Sequence, residues 1–325
     1  MFKQSSIVIQ VLIILLLSIS LSSIFNIILI KIQNKRKLFQ PQREELSSIH
    51  KDKSSTPTLG GIGIYLSCSL SLLITNIDIF KNKKFILVFI LISAFFVLGF
   101  IDDLLKVIKK DYHGAKDSVR FFIEVLLSLF FLRGLGYNFV DFQKVHFLSI
   151  SLNLGVFSII LLSFILVGTS NAMNLSDGLD GLATCLFIVA IMPFAIYAFK
   201  NSQIHLGLLL VASFGSSIGF VIFNMHPSKI FMGDCGSLYL GSILASSAIV
   251  LHQELMLVIA GLLLIIETSS VIIQVIYYKI TKKRIFLMAP FHHHLELKGY
   301  SEEKVVLIFI VIGYILSFVA SLLII

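Results

Sequence analysis

Charge is what this chain of 325 residues has least of. Only 14% of its residues are Asp, Glu, Lys or Arg, 57% are hydrophobic, and the mean hydropathy is +0.97. Soluble globular domains carry about 25% charged residues. The deficit excludes a soluble protein and identifies an integral membrane protein. Tryptophan is absent while phenylalanine occurs 29 times. That bias suits a lipid-facing chain and bears on no activity. Cysteine occurs three times, as Cys68, Cys185 and Cys235, at spacings that fit neither a metal site nor a disulfide framework. The three read as small buried apolar residues. No repeat or low-complexity linker interrupts the chain, so residues 1–325 read as one integral membrane domain. The first apolar run is too long for a signal peptide and no small-x-small cleavage site follows it, so it reads as a retained span.

What the chain has in quantity is long apolar runs. A helix needs about 20 mainly apolar residues to cross the hydrocarbon of a bilayer. By that measure an all-α fold with ten spans is expected, over 6–30, 60–78, 85–105, 120–136, 154–172, 181–199, 204–223, 236–251, 256–278 and 304–325. Of the 26 Lys and Arg residues, 19 fall in alternate loops: 31–59, 106–119 with Arg120, 173–180, 224–235, and 279–303 with Lys304. The remaining 7 lie on the other side. The positive-inside rule puts the richer set in the cytoplasm and both termini outside. The net charge of +8 then gathers on one face, where it suits anionic lipid headgroups and phosphorylated substrates rather than nucleic acid. Segment 138–152 alternates polar and apolar residues on the outer side and reads as a hairpin or surface segment.

Five polar stretches all fall on the expected cytoplasmic side. "KDKSSTPTLGGIG" (51–63) carries Lys53, a turn at Pro57, and glycines that serve either helix packing or close approach of a ligand. "FIDDLLK" (100–106) places Asp102 and Asp103 after a long uncharged run. That pair is either solvated and offset by Lys106, or a cation site, because paired carboxylates bind Mg²⁺ and lose their repulsion by doing so. "NAMNLSDGLDGLA" (171–183) spaces Asn171, Asn174, Asp177 and Asp180 by three, with Gly178 and Gly181 arguing for a turn between two spans. Asn and Asp also serve as ordinary caps and turn formers. "FNMHPSKIFMGDCGS" (223–237) holds Asn224, then Phe231, which can stack a base or simply pack, then Asp234. Asp234 with Ser237 has the spacing of an N-cap, and a helix N-terminus is also a seat for phosphate. Lys116 adds a further basic group on this side.

The fifth stretch, "KKRIFLMAPFHHHLELKG", carries His292, His293 and His294. Three imidazoles can ligate a transition metal, but neighbours diverge on a helix. One histidine on a substrate phosphate with the others bracing the loop is the alternative, with His292 and Glu296 an i,i+4 pair if the loop is helical. Two acids lie inside spans. Glu124, four residues after Arg120, is placed to pair with it. Glu267 is mid-span, where an acid is either functional or a hydrogen-bonded structural group.

"TPTLGG", the "DD" at the end of the third span, "NAMNLSDGLDGLA", "FMGDCGSLYLG" and "RIFLMAPFHHHLELKG" resemble, in order and in position at span ends, the bacterial phospho-MurNAc-pentapeptide translocase family. These membrane enzymes make lipid I for peptidoglycan, and the resemblance runs from Lys31 to the tenth span. The "MAPFHHHLE" run is its most specific part. Ser176, Leu59 and Leu295 depart from the family pattern without removing a charged group.

The resemblance implies transfer of phospho-MurNAc-pentapeptide from UDP to undecaprenyl phosphate with release of UMP, at the inner face of the bacterial cytoplasmic membrane. It implies Mg²⁺ as cofactor, with Asp234 and Asn171 on the metal side. By the same resemblance Asp102, Asp103 and Asp234 are catalytic acids, and His292, His293 and His294 form a motif needed for activity. Substrate contacts fall to Lys53, Lys116, Asn171, Asn174, Asp177, Asp180, Asn224 and Phe231, with Phe231 stacking uracil. The bilayer is a partner, a homodimer is compatible with the chain, and nucleic acid is not expected. The rival readings are a sister enzyme using UDP-N-acetylglucosamine, which the histidine run argues against, and a transporter, whose site would lie near the bilayer midplane.

Overall fold

The computed structural model describes residues 2–36, 56–109, 114–137, 144–147, 150–155 and 157–323. The fold is helical. In chain order the helices are α1 (Phe2–Arg36), α2 (Gly61–Thr75), α3 (Lys83–Lys109), α4 (Asp117–Gly134), α5 (Phe157–Leu175), α6 (Leu182–Lys200), α7 (Ile204–Asn224) and α8 (Gly233–Leu251). They continue with α9 (Glu254–Ala260), α10 (Leu262–Thr281), α11 (Phe291–Leu297) and α12 (Glu302–Leu322). A 3₁₀ turn, Ile77–Lys81, joins α2 to α3. The alternating segment after α4 forms the hairpin β1 (Lys144–Phe147) and β2 (Ile150–Asn153), antiparallel with Lys144 opposite Asn153. Among the described residues, eight helices are long and apolar enough to cross a membrane: α1, α3, α5, α6, α7, α8, α10 and α12. The protein is therefore a multi-pass membrane protein.

Each expected span coincides with a helix, but three depart from a simple crossing. Helix α2 has 15 residues, about 22 Å at 1.5 Å per residue, short of the hydrocarbon core. Helix α4 has 18 residues and carries Asp117, Arg120, Glu124 and Arg133. The run 256–278 is not one helix: Gly261 separates α9 from α10.

Helix α8 is the axis of the fold. All nineteen of its residues are buried, and α3, α5, α2 and α6 pack around it. A helix that is apolar on every side is stable only when neighbours enclose it. Small residues let them approach: Gly236 meets Gly61 of α2, Gly241 meets Thr169 and Ser170 of α5, and Gly99 of α3 lies against Asp234 and Cys235. In lipid such close contact is the main source of helix association. The hydroxyls of Ser242 and Ser246 donate to carbonyls one turn back, Tyr239 O at 2.7 Å and Ile243 O at 3.2 Å, which satisfies them inside the helix. The cysteines are free; Cys68 and Cys235 are buried and Cys185 is half-buried.

The glycines of "TPTLGG" resolve toward packing. A Cβ on Gly60 would meet the Phe220 ring and Phe231 O, one on Gly61 would overlap the Gly236 backbone, and one on Gly63 would overlap Asn26. The backbone just before α2 is stitched to the entry of α8: Phe231 N–H donates to Pro57 O (2.8 Å), Gly60 N–H to Phe231 O (2.9 Å) and Gly61 N–H to Met232 O (2.9 Å).

Candidate active site

Three helices deliver charged and amide side chains to the N-terminal end of α8. Asp102, Asp103 and Lys106 come from the last turns of α3, Arg120 and Glu124 from the first turns of α4, and Asn171 and Asn174 from the end of α5. At the centre is Asp234. Its Oδ1 accepts from Asn174 Nδ2 at 3.0 Å. Its Oδ2 faces Lys106 Nζ at 2.9 Å and Arg120 Nη1 at 3.0 Å. Lys106 Nζ also lies 2.8 Å from Asp102 Oδ2, and Asp102 Oδ1 accepts from Ala115 N–H at 2.7 Å. The loop before α4 can close this tightly because Gly114 has no side chain; a Cβ there would overlap the Asp102 carboxylate.

Asp103 is turned elsewhere. Its oxygens accept from the backbone N–H groups of Asp234 (3.0 Å) and Cys235 (2.9 Å). Helix α8 has no side-chain cap of its own, so the expected cap by Asp234 with Ser237 does not form. Ser237 Oγ instead accepts from Asn174 Nδ2 at 2.8 Å and donates to Gly233 O at 3.2 Å. Asp103 supplies from α3 the carboxylate that a helix N-terminus favours, and so fills the seat that sequence reasoning offered to phosphate.

Asn171 also points away from Asp234. Its Nδ2 donates to Glu124 Oε2 (2.5 Å) and to Val167 O (2.9 Å). Glu124 is fully buried and pairs with Arg120 (3.7 Å), as the i,i+4 spacing predicts. Asn224 is buried and works on its own loop, donating to Ile230 O (3.0 Å) and accepting from Thr184 Oγ1 (3.2 Å). Phe231 is half-buried and held by its backbone beside Pro57 and Gly60. Lys116 is exposed at the start of α4, one residue from the loop that touches Asp102. Lys53 lies outside the described residues.

The turn between α5 and α6 carries Asp177, Gly178 and Asp180. Gly181 has φ +79°, a left-handed conformation that glycine adopts freely. Asp180 ties the turn to two neighbours: its Oδ2 lies 3.0 Å from His226 Nδ1 and accepts from Ser228 N–H (3.1 Å), while its N–H donates to Glu302 Oε1 of α12 (2.6 Å). Asp180, His226 and Glu302 bring one potential metal-ligand atom each within 4.8 Å of one another. Asp177 faces the acid cluster. Burial first, and then the charges of Asp234, Asp103 and Asp180, push its pKa well above the usual carboxylate range, with Lys106 opposing.

The histidine run is helical, as α11, and packs onto this same turn. A Cβ on Gly178 would overlap His292 Nε2 and crowd His293 Nε2. The expected His292–Glu296 pair does not form. Glu296 Oε2 takes His293 Nδ1 (2.7 Å), and His292 Nδ1 takes Glu267 Oε2 (3.0 Å), 25 residues away on α10. His294 faces the other way, accepting from Leu287 N–H (3.1 Å). Burial, and then the Lys298 charge, lower its pKa from the ordinary imidazole value.

The donor set fits a hard divalent cation. Asp102, Asp177 and Asp234 offer carboxylate oxygens of the kind Mg²⁺ takes, and the pressure on Asp177 comes first from burial and then from negative charge that such an ion would offset. Sequence reasoning paired Lys106 with the Asp102–Asp103 acids and Arg120 with Glu124, and missed that both also reach Asp234. The Lys106–Asp102 pair carries an i,i+4 signal, whereas Arg120 reaches Asp234 across 114 residues with no local mark.

Charged groups gather at one end of a bundle of membrane-spanning helices, and residues 85–252 match the model of glycosyl transferase family 4, which makes the protein a membrane transferase. Phospho-N-acetylmuramoyl-pentapeptide-transferase of Staphylococcus saprophyticus is 37% identical over 292 residues, covering 89% of this chain and 91% of the relative. The enzymes of the same name from Listeria welshimeri and Bacillus mycoides are 40% identical (86% and 88% of the two chains) and 39% identical (93% and 93%). This chain belongs to glycosyl transferase family 4, in its phospho-N-acetylmuramoyl-pentapeptide-transferase branch.

Proposed function

We propose that the protein transfers phospho-MurNAc-pentapeptide from UDP-MurNAc-pentapeptide to undecaprenyl phosphate, yielding lipid I and UMP. The observation that carries this reading is the convergence of Asp102, Lys106, Arg120 and Asn174 on Asp234 at the entry of α8, in a chain of which 86% to 93% aligns with enzymes of that name. A phosphate oxygen of the lipid forms a bond to the sugar-bearing phosphorus, and the bond from that phosphorus to the UMP oxygen breaks. Phosphoryl transfer of this kind is mostly positioning and charge neutralisation. Lys106 and Arg120 are the cations already at the spot, oriented by carboxylates and able to turn to phosphate oxygens. A lipid phosphomonoester with a second pKa near 6 is largely dianionic at neutral pH, so a strong base is unnecessary.

Asp234, with Asp177 and Asp102, would hold Mg²⁺. When bound, the ion would neutralise pyrophosphate charge and ease departure of UMP. Asp102 either orients the attacking oxygen, deprotonates it or forms a covalent phosphoenzyme; a rapid-quench trap for phospho-aspartate separates the covalent path from direct attack. Phe231 beside the site is the stacking partner proposed for uracil, with Lys53 and Lys116 as further substrate contacts.

The same reading places the site at the cytoplasmic face of the bacterial inner membrane, with ten spans and both termini outside. The bilayer supplies the lipid substrate, and a homodimer is compatible with it. Single-cysteine labelling from each side tests the topology; finding the Asp102 and His292 ends on opposite faces would defeat it. The activity test incubates purified protein with Mg²⁺, undecaprenyl phosphate and either sugar nucleotide, and measures UMP. Release from UDP-MurNAc-pentapeptide that Asp234→Asn abolishes supports the assignment. Release from UDP-N-acetylglucosamine alone defeats it.

A further inference from the structure

Glu267 and His292 are both fully buried, with no exposed side-chain surface. The carboxylate takes two donors from one residue. His292 Nδ1 lies 3.0 Å from Glu267 Oε2, and the His292 backbone N–H lies 3.2 Å from Oε1 and 3.4 Å from Oε2. A carboxylate only accepts, so the hydrogen of the ring is on Nδ1. The other ring nitrogen, Nε2, is enclosed and has no hydrogen-bond partner. It points at Gly178, in the turn that carries Asp177 and Asp180.

A buried polar atom left unpaired costs roughly 1–3 kcal/mol, and such atoms in native proteins call for a reason. His293 and His294 show what a bracing histidine looks like here: each has its Nδ1 engaged within residues 287–296. His292 alone is anchored from a distant helix and leaves a nitrogen bare toward the acid-rich turn. Gly178, with no side chain, is what covers that nitrogen, so a small backbone movement there uncovers it.

We propose that Glu267 is a positioning residue that holds His292 in its Nδ1–H form, reserving the Nε2 lone pair for a hydroxyl or amide N–H of the sugar-peptide substrate beside Gly178. This rests on the transferase reading above and adds a specificity contact to it. The carboxylate acts through the imidazole, as the third member of a catalytic triad orients its histidine.

The test compares full-length wild type, Glu267→Gln, Glu267→Asp, His292→Gln and the Glu267→Gln/His292→Gln pair for UMP release and for thermal unfolding. Losing a carboxylate that orients a functional histidine costs about 10–100-fold in activity. Glu267→Gln is expected to lose that much, with the folded fraction preserved and partial recovery in Glu267→Asp. In the His292→Gln background the same change is expected to cost less than about 3-fold, because the two act as a unit. ¹⁵N spectra of the wild-type histidines are expected to show a protonated Nδ1 and bare Nε2 at His292, with Nε2 shifting on addition of UDP-MurNAc-pentapeptide.

Full activity in folded Glu267→Gln overturns the proposal, as do losses that multiply in the double variant. If Glu267→Gln does not fold, the wild-type spectrum decides: a proton on Nε2 with Nδ1 bare, or no response to the nucleotide, overturns it. Absence of UMP release from wild type would defeat the transferase reading instead, while the tautomer measured without substrate still judges the Glu267 contact.

Discussion

Asp103 on α3 caps the helix that begins at Asp234: both its oxygens accept backbone N–H groups of that helix, at 3.0 and 2.9 Å. The acid next to it, Asp102, faces Lys106 and the Ala115 amide instead. Neighbours on a helix point about 100° apart, so one "DD" pair serves two purposes. Asp103 fixes where Asp234 stands, and Asp102 borders the space where the proposed phosphoryl transfer would take place.

Asp103→Ala is therefore expected to act on stability as well as turnover. It leaves two enclosed amides without acceptors, each worth about 1–3 kcal/mol. The unfolding temperature of the purified protein should drop clearly, with Asp103→Asn intermediate because one acceptor oxygen remains. Asp102→Asn should reduce UMP release with a smaller effect on unfolding. Equal thermal losses in the two variants would contradict the division of roles.

The glycines at the α2–α8 contact give a second expectation. Ala at Gly61 would push a methyl into the Gly236 backbone, which cannot swing aside as a side chain can. Overpacking of this sort costs about 1–3 kcal/mol. Gly168 of α5 is the control, since a Cβ there has nothing within 4 Å. Gly168→Ala should be neutral or raise stability by up to about 1 kcal/mol, the usual gain on replacing a helix-interior glycine. Unfolding both variants in the same detergent checks the pair; a Gly61→Ala protein as stable as wild type would mean that α2 is not seated as described.

The spans and the polar ends of the spans were readable from the chain because apolar runs about 20 residues long leave few alternatives in a bilayer. What was not readable depends on partners remote in sequence. Asp234 next to Ser237 looks like a local cap, and nothing nearby announces that Asp103, 131 residues earlier, takes that role. His292 and Glu296 have the spacing of a pair, yet Glu267 outcompetes Glu296 because it is fully buried and has no other partner of comparable geometry. Gly261, a single residue in an apolar run, divides the ninth expected span, which hydropathy alone does not register. Asn171 has the residue type of a metal-side ligand, but on α5 it faces Glu124 of α4 and bonds there.

The Asp177 carboxyl lies in the turn between α5 and α6, outside the spans. Its raised pKa means that the folded protein retains a proton the unfolded chain releases above about pH 3.9. Stability therefore falls as pH rises from that value through the folded-state pKa. Asp177→Asn cannot ionise, so its unfolding temperature in metal-free buffer should decline less with pH than that of wild type, and the gap should widen until the folded-state pKa is passed. Parallel curves for the two proteins across that range would show that Asp177 bears no such pressure.

Lys106 and the proposed Mg²⁺ would compete for the same oxygens. Its Nζ lies 2.8 Å from Asp102 Oδ2 and 2.9 Å from Asp234 Oδ2, in the space between two carboxylates proposed to face Mg²⁺. Lys106→Gln would remove a positive charge from beside the ion and free Asp102 Oδ2 of its lysine, leaving Arg120 on Asp234 Oδ2. The Mg²⁺ concentration giving half-maximal UMP release should fall by on the order of tenfold, equivalent to about 1.4 kcal/mol. Maximal turnover should fall as well, because the phosphate loses a cation that balances its charge. Chelation with EDTA should stop both enzymes and added Mg²⁺ should restore both. A half-maximal concentration that is unchanged or higher in Lys106→Gln would mean that the ion does not enter between Asp102 and Asp234, and the metal would have to be sought at Asp177.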